Sequence, residues 1–324
     1  MAKPSSVRKS ARPASRKASK SGPGNVRCVL CAMDLTETSH HALAMAAELA
    51  EAYDAKLLVV HVVEVWDKRY DFLVKNLTKE LAAEANEKVH AELAHLEKDA
   101  AIEVEALVCK GNPVDEVMKV VAERKPDLLV IGANGGRVDR DEPLGSVANR
   151  LLTISPVSVV VNRPCVAPDI KRVLCATDGS AVSRLALDWA IDLAKREHVE
   201  SLEIVNAFQV PTGYIEAGMT FDQAREKMRK LHEDEVAKIQ KQRQNEKIRL
   251  VPILEDGPAA EVICSVADVE RADLVVIGYR ARSQFARFLL GSVALKVVRQ
   301  AHVSVLVVKD EEHKLTFLEA LMKF

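Results

Sequence analysis

Short unbroken apolar runs alternate with longer stretches in which apolar residues recur every three or four positions, and this alternation occurs twice along 324 residues. An unbroken run of four to eight apolar residues marks a strand buried on both faces of a parallel sheet, whereas a three-to-four spacing marks an amphipathic helix. In the first half the pattern predicts strands at 26–33, 57–63, 102–109, 128–131 and 157–161. Helices are predicted between them. One runs over 39–53 through Leu43, Ala46, Leu49 and Ala50, and a charge-laced one covers 77–98. A third starts at Gly111-Asn112-Pro113, where proline suits the first turn because its missing N–H has no partner there. A short fourth covers 146–153. The second half predicts strands at 173–177, 202–207, 250–254, 274–277 and 303–308, with helices from about residue 183, over 223–242 and over 259–269.

Strands alternating with helices give the α/β class, here two tandem, doubly wound, five-stranded parallel-sheet domains. The stretch from Gly111 to Ser146 recurs without gaps, at one offset, in Gly257 to Ser292, which indicates duplication. The predicted domains are 25–163 and 170–309. A linker at 164–169, marked by Pro164 and Pro168, is too short to hold them apart. Strand five of each domain lies at a sheet edge, and exposed apolar edges demand cover, which the two edges can give each other within one chain.

Two flanking segments differ in character. Residues 1–24 carry Lys3, Arg8, Lys9, Arg12, Arg16, Lys17 and Lys20 with no acid, a composition that cannot bury enough apolar area to order itself. That basic tail reads as a solvated segment, as a tether to nucleic acid, anionic lipid or an acidic partner, or as a transit peptide. Residues 310–324 end in an amphipathic helical pattern over 315–324, suited to docking on its own domain, to homodimerisation or to a protein partner.

Composition narrows the classes. With 48% hydrophobic and 29% charged residues the balance is that of a globular protein. No run approaches the roughly 18 apolar residues of a membrane span, and six scattered cysteines favour a reducing compartment; a cytoplasmic protein is expected. Cys28 and Cys31 imitate a metal motif, yet residues three apart on a strand face opposite sides and cannot share an ion. His90 and His95 lie in a charged helical stretch and are read as solvated. No metal-ligand set is assigned.

The chemistry concentrates at strand ends. Gly132-Ala133-Asn134-Gly135 directly follows an apolar strand, and nine residues later come Gly145-Ser146. Ligands of open α/β sheets lie outside the carboxyl ends of the strands, where Asp34 closes strand one and Gly132 closes strand four. Glycines there allow close approach of backbone N–H groups to an anion. Gly145-Ser146 adds the N-terminus of a helix, whose dipole favours phosphate. A carboxylate at the end of strand one suits a ribose hydroxyl or a base amine. Together these groups would hold both ends of a nucleotide.

This constellation closely resembles the universal stress protein family in its tandem two-domain form, over about residues 26–309. The resemblance rests on Asp34, on His61-Val62 at the end of strand two, on Gly111-x-Pro113, on the Gly-x2-Gly-x9-Gly-Ser loop and on Pro156-Val157 before strand five. It implies an adenine nucleotide alpha hydrolase-like fold. It also implies an ATP site in which Asp34 and Val62 border the adenosine while Gly132, Gly135, Gly145, Ser146 and the Val147 backbone cradle the phosphates. Asp139, Asp141 and Glu142 in the nine-residue insert read either as solvated loop acids or as holders of Mg2+.

A second candidate set, Asp178, Gly278, Gly291 and Ser292, is altered. Ala281 replaces the middle glycine, at a cost on the order of 1 kcal/mol where that position needs a positive φ. Asn206-Ala207 stands where the first half has His61-Val62, while Arg280, Arg282 and Arg287 make the loop basic. Tighter nucleotide binding is therefore expected in the first half.

No Gly-x4-Gly-Lys-[ST] loop, Gly-x-Ser-x-Gly or His-Glu-x2-His motif is present, and no catalytic residue is assigned. The leading expectation is a nucleotide-binding regulatory or stress-response protein in which ATP orders the 132–145 loop and alters a surface seen by a partner. A weak ATP hydrolase and a nucleotide-independent scaffold are the alternatives.

Overall fold

The computed structural model describes residues 23–64, 71–99, 102–135, 144–164, 169–279 and 292–310. Side chains are described for 80–94 of the second segment and from 293 in the last. The expectations for residues 1–22, for Asp139, Asp141 and Glu142, for Pro168, for the side chain of His95, for Arg280, Ala281, Arg282, Arg287 and Gly291, and for 311–324 lie outside the described residues.

The first half runs β1 (Cys28–Met33), α1 (Glu37–Tyr53), β2 (Lys56–Glu64), α2 (Asp71–Asp99), β3 (Val104–Gly111), α3 (Pro113–Arg124), β4 (Leu128–Gly132), α4 (Ser146–Ile154) and β5 (Ser158–Asn162). The second half repeats it with β6 (Val173–Ala176), α5 (Ala181–Arg196), β7 (Ser201–Phe208), α6 (Phe221–Gln242), β8 (Arg249–Asp256), α7 (Ala259–Val269), β9 (Leu274–Gly278), α8 (Ser292–Gln300) and β10 (Ser304–Val308). A 3-10 turn at Thr212–Tyr214, which has no periodic signature, precedes α6.

The ten strands form one sheet in the order β3-β2-β1-β4-β5-β10-β9-β6-β7-β8. Every neighbouring pair is parallel except β5 with β10, which run antiparallel with Val160 opposite Leu306. The pairing of the two fifth strands thus removes two apolar edges at once. Among the described residues β3 and β8 remain as the edges, and both are half-buried.

Alternation along each strand divides the core into two layers. On β1, Val29, Cys31 and Met33 face the layer under α1 and α5, while Leu30 and the partly buried Cys28 face the layer under α3, α4, α7 and α8. Cys28 and Cys31 are thereby on opposite faces. His90 is exposed on α2.

Duplication is visible in the backbone as well as in the sequence. Left-handed residues recur at matching places: Leu35 and Gly179 after the first strand of each half, Asp54 and His198 after the first helix, Lys125 and Arg271 after the third. Asp127 accepts from the amides of Arg27 and Cys28 at 2.9 and 3.2 Å, and Asp273 does the same for Lys171 and Arg172 at 2.9 and 2.8 Å. Each carboxylate thus ties the start of a central strand to the strand beside it.

The halves join through more than the strand pair. Tyr53 of α1 and Trp189 of α5 pack at 6.4 Å between ring centroids. Arg196 lies 4.4 Å over the Tyr53 ring and donates to the Ala52 carbonyl at the end of α1, 3.0 Å away. A cation suits that end because helix dipoles leave it negative.

Candidate functional site

The turn from β1 into α1 builds one wall of the site. Asp34 Oδ1 accepts from the amide and hydroxyl of Thr36 at 3.0 and 2.5 Å. Leu35, held between them at φ 64°, is a side-chain-bearing residue in the left-handed region, a strain of about 1–2 kcal/mol. The corresponding position of the second half is Gly179, at φ 73°. Comparing Asp34-Leu35 with Asp178-Gly179 in the sequence would have revealed this turn; neither the periodicity nor the motif did.

The opposite wall is the loop after β4. Thr36 Oγ1 and Thr38 Oγ1 are 2.9 Å apart, and Thr38 Oγ1 donates to the Asn134 carbonyl at 2.7 Å. Each threonine hydroxyl has one proton, which Thr36 gives to Asp34 and Thr38 to Asn134, so the two oxygens only touch and the Asp34 turn meets the residue before Gly135 by contact, not by a continuous hydrogen-bond chain. Gly135 has no positive φ, so the conformational reason considered for glycine there does not apply. The reason is contact: a Cβ on Gly135 would stand 2.6 Å from Asp34 Oδ2. Gly278 is confined in a different way, since a Cβ there would meet the Val182 carbonyl oxygen at 2.8 Å.

The third wall is the N-terminus of α4. Gly145 is its N-cap in an extended conformation, and no side chain caps the first turn. In α3, by contrast, the Asn112 side chain accepts from Val114 and Asp115. The Gly145 amide donates to Ala133 at 2.8 Å, which binds the two ends of the 132–145 segment to each other. Val147 is 40% exposed in that first turn.

Asp34, Val62, Gly132, Gly135, Gly145, Ser146 and Val147, the seven residues singled out in the first half, all line one cavity of about 400 Å3. His61, Glu64, Ser39 and Pro113 share it. Both side-chain amide atoms of Asn134, which also lines the cavity, are buried with no hydrogen-bond partner among the described residues. Buried polar groups are nearly always paired, so these atoms mark a place for a polar visitor. A larger cavity of about 650 Å3 lies beside Lys171, Arg172 and Arg271, at the amino-terminal ends of β6 and β9. Ligands of such sheets bind at the opposite, carboxyl ends, and the smaller cavity is there.

His61 is buried, and its Nδ1 donates to the Met33 carbonyl at 2.9 Å, locking the end of β2 to the end of β1. Asn206 performs this task in the second half, donating to the Thr177 carbonyl at 3.0 Å, while His232 Nδ1 donates to its Oδ1 at 2.7 Å. The exchange of histidine for asparagine therefore keeps the cross-strand lock. Asp178 Oδ1 accepts from the Ser180 amide at 3.0 Å, and Ser292 begins α8. Tyr279 is fully buried at the repeat position of Ala133.

Comparison with known proteins bears on the family and the fold. The universal stress protein family model matches residues 25–163 and again 169–309. A universal stress protein of Mycolicibacterium smegmatis is 27% identical over 297 residues, covering 87% of this chain and 96% of that one. Another, from Methanocaldococcus jannaschii, is 31% identical over 139 residues, 43% of this chain and 82% of its own length. The crystal structure of a universal stress protein from Archaeoglobus fulgidus shares the fold with a TM-score of 0.66 at 22% identity, covering 87% of this chain and 98% of its own. No described helix is long and apolar enough to cross a membrane. With the same family model matching each of its halves, the chain belongs to the universal stress protein family.

Proposed function

We propose that the first half binds an adenine nucleotide, with ATP as the leading ligand, and that the protein acts through occupancy of this site rather than through catalysis. The observation that carries the reading is the convergence of seven residues spread from Asp34 to Val147 on one cavity at the carboxyl ends of the strands. Asp34 is the acceptor for ribose hydroxyls, and Val62 borders the base. The Gly132–Gly135 turn and the uncapped α4 N-terminus, with the Ser146 hydroxyl, take the phosphates, because main-chain N–H groups and a helix dipole there favour negative charge. The orphaned Asn134 amide supplies one more donor and one more acceptor.

Isothermal titration of the full chain with ATP, ADP and AMP tests the reading. Saturable heat with ATP is expected, lost on Asp34→Ala; no heat with any of the three from folded protein refutes it. Mass spectrometry of denatured protein reports any nucleotide that copurifies. Timed turnover with Mg2+ then separates a regulatory binder from a slow hydrolase. Ala281 in place of the middle glycine and Asn206-Ala207 in place of His61-Val62 underlie the further expectation that the second half binds nucleotide more weakly.

A further inference from the structure

The residue that follows the last strand of each half crosses into the other half. Lys309, directly after β10, is buried, and its Nζ donates to the Leu152 and Ser155 carbonyls at 2.6 and 2.5 Å. Those are the carbonyls that end α4. Arg163, directly after β5 and 146 positions earlier, is equally buried. Its Nη2 reaches the Val298 and Arg299 carbonyls near the end of α8 at 3.3 and 3.4 Å. The two backbones are matched too. The Arg163 amide donates to Ser304 Oγ at 3.1 Å, and the Lys309 amide donates to Ser158 Oγ at 3.2 Å. A basic side chain from each half thus seats on the negative end of the short helix that precedes strand five of the other half; burial pushes Lys309 down to about 7, so its hold on the two carbonyls rests on N–H donation and not on a permanent charge.

Helix α4 has nine residues, about 13 Å of rise, so its two ends move together. Its N-terminus lines the first cavity and its C-terminus carries Lys309. It presents only Ala148, Leu151 and Leu152 as fully buried side chains, a small apolar anchor for a helix that must hold its axial position. Lys309 adds to the Arg299–Asn149 bond in supplying that constraint, since an amino group bound to two carbonyls at these distances cannot slide along the helix without breaking one of them.

We propose that Lys309 is a positioning residue for the first cavity: the second half grips α4 by its carbonyl end and so fixes where Gly145, Ser146 and Val147 meet the ligand. This inference rests on the reading of that cavity as a nucleotide site. Its physical content is coupling between halves, since the first site is assembled in full only when the β5–β10 joint is closed.

The test uses Lys309→Met and Arg163→Met in the full chain. Both remove a buried basic side chain at the same joint, but Lys309 donates to carbonyls at the end of α4 whereas Arg163 donates to carbonyls near the end of α8 and meets α4 through the Arg299–Asn149 bond of 3.1 Å. ATP affinity is expected to fall about tenfold in K309M and to stay within twofold of wild type in R163M. Amide hydrogen exchange is expected to speed up at least tenfold across 146–154 in K309M and not in R163M. Equal losses of affinity in the two variants, or unchanged exchange of α4 in K309M, overturn the proposal. Should wild type bind no nucleotide, the functional reading fails while exchange of α4 still decides the positioning claim. If K309M does not fold, Lys309→Gln, which keeps a donor for one of the two carbonyls, is read by the same criteria.

Discussion

Substituting Gly135 with alanine places a methyl group where a carboxylate already stands, which makes it the sharpest probe of the candidate site. The new Cβ would lie 2.6 Å from Asp34 Oδ2, so the carboxylate must retreat by roughly 0.8 Å to reach ordinary contact. It cannot do so freely, because Oδ1 is held by both Thr36 donors. Retreat stretches bonds to a charged acceptor, which are worth about 1.5–3 kcal/mol where water is excluded and less at this exposed turn; the expected loss of stability is about 1 kcal/mol. Ligand affinity should fall further, because the displaced carboxylate is the proposed ribose acceptor: loss of that contact corresponds to about a ten- to hundredfold rise in Kd for ATP. Titration calorimetry on G135A and wild type, with thermal unfolding of each, measures both quantities. Gly132→Ala is the comparison, because its Cβ would first meet the Asn134 carbonyl oxygen at 3.4 Å and leaves Asp34 in place. A G135A protein with a Kd within twofold of wild type, and with Asp34 unmoved in its crystal structure, would refute the steric argument.

Two further predictions concern stability. Glu48 accepts from the Ile170 amide at 2.8 Å across the domain joint, and burial, reinforced by Glu197, Asp169 and Asp273, pushes its carboxyl up to about 7. Because the folded value lies above the unfolded one of 4.5, this group's contribution is full below pH 4.5 and is lost as pH rises toward 7. Glu48→Gln keeps the acceptor and removes the charge, so denaturant titrations should show a flatter stability profile between those limits and a gain of about 1 kcal/mol at pH 8, after allowing for water at its half-exposed side. Asn112→Ala removes the two side-chain bonds that cap α3, at 3.0 and 3.3 Å, and should cost about 1 kcal/mol and lower Tm by a few degrees in calorimetry.

The sequence carried most of the architecture because its periodic signals coincide with the physical constraints. The unbroken runs 128–131 and 274–277 are strands with both faces covered, and such strands have no polar position to disguise them. Element ends were less legible, since their residues depend on contacts made far along the chain: β8 extends to Asp256, well past its apolar stretch, through pairing with β7. The candidate site was legible residue by residue, because each part is a local signal, a carboxylate after a strand or a glycine before a helix. Why the parts have those identities was not. Gly135 is explained by Asp34, 101 positions earlier, and no local rule relates the two.

The basic residues after β5 and β10 show what kind of information is hidden and where it can be recovered. Arg163 and Lys309 look like ordinary charges ending a strand, and their roles emerge only when the two halves are superposed on each other. The repeat therefore holds long-range information in local form. A position that keeps its charge in both copies while the surrounding identities drift is constrained by something the two copies share, and what they share here is the joint between them. By the same argument, places where the copies diverge at matched backbone geometry, Leu35 against Gly179 and His61 against Asn206, locate the difference between the halves at the strand ends around the cavity and not in the scaffold. The strained Leu35 turn in the first half, relieved by glycine in the second, is thus the clearest backbone difference between the two copies at these strand ends.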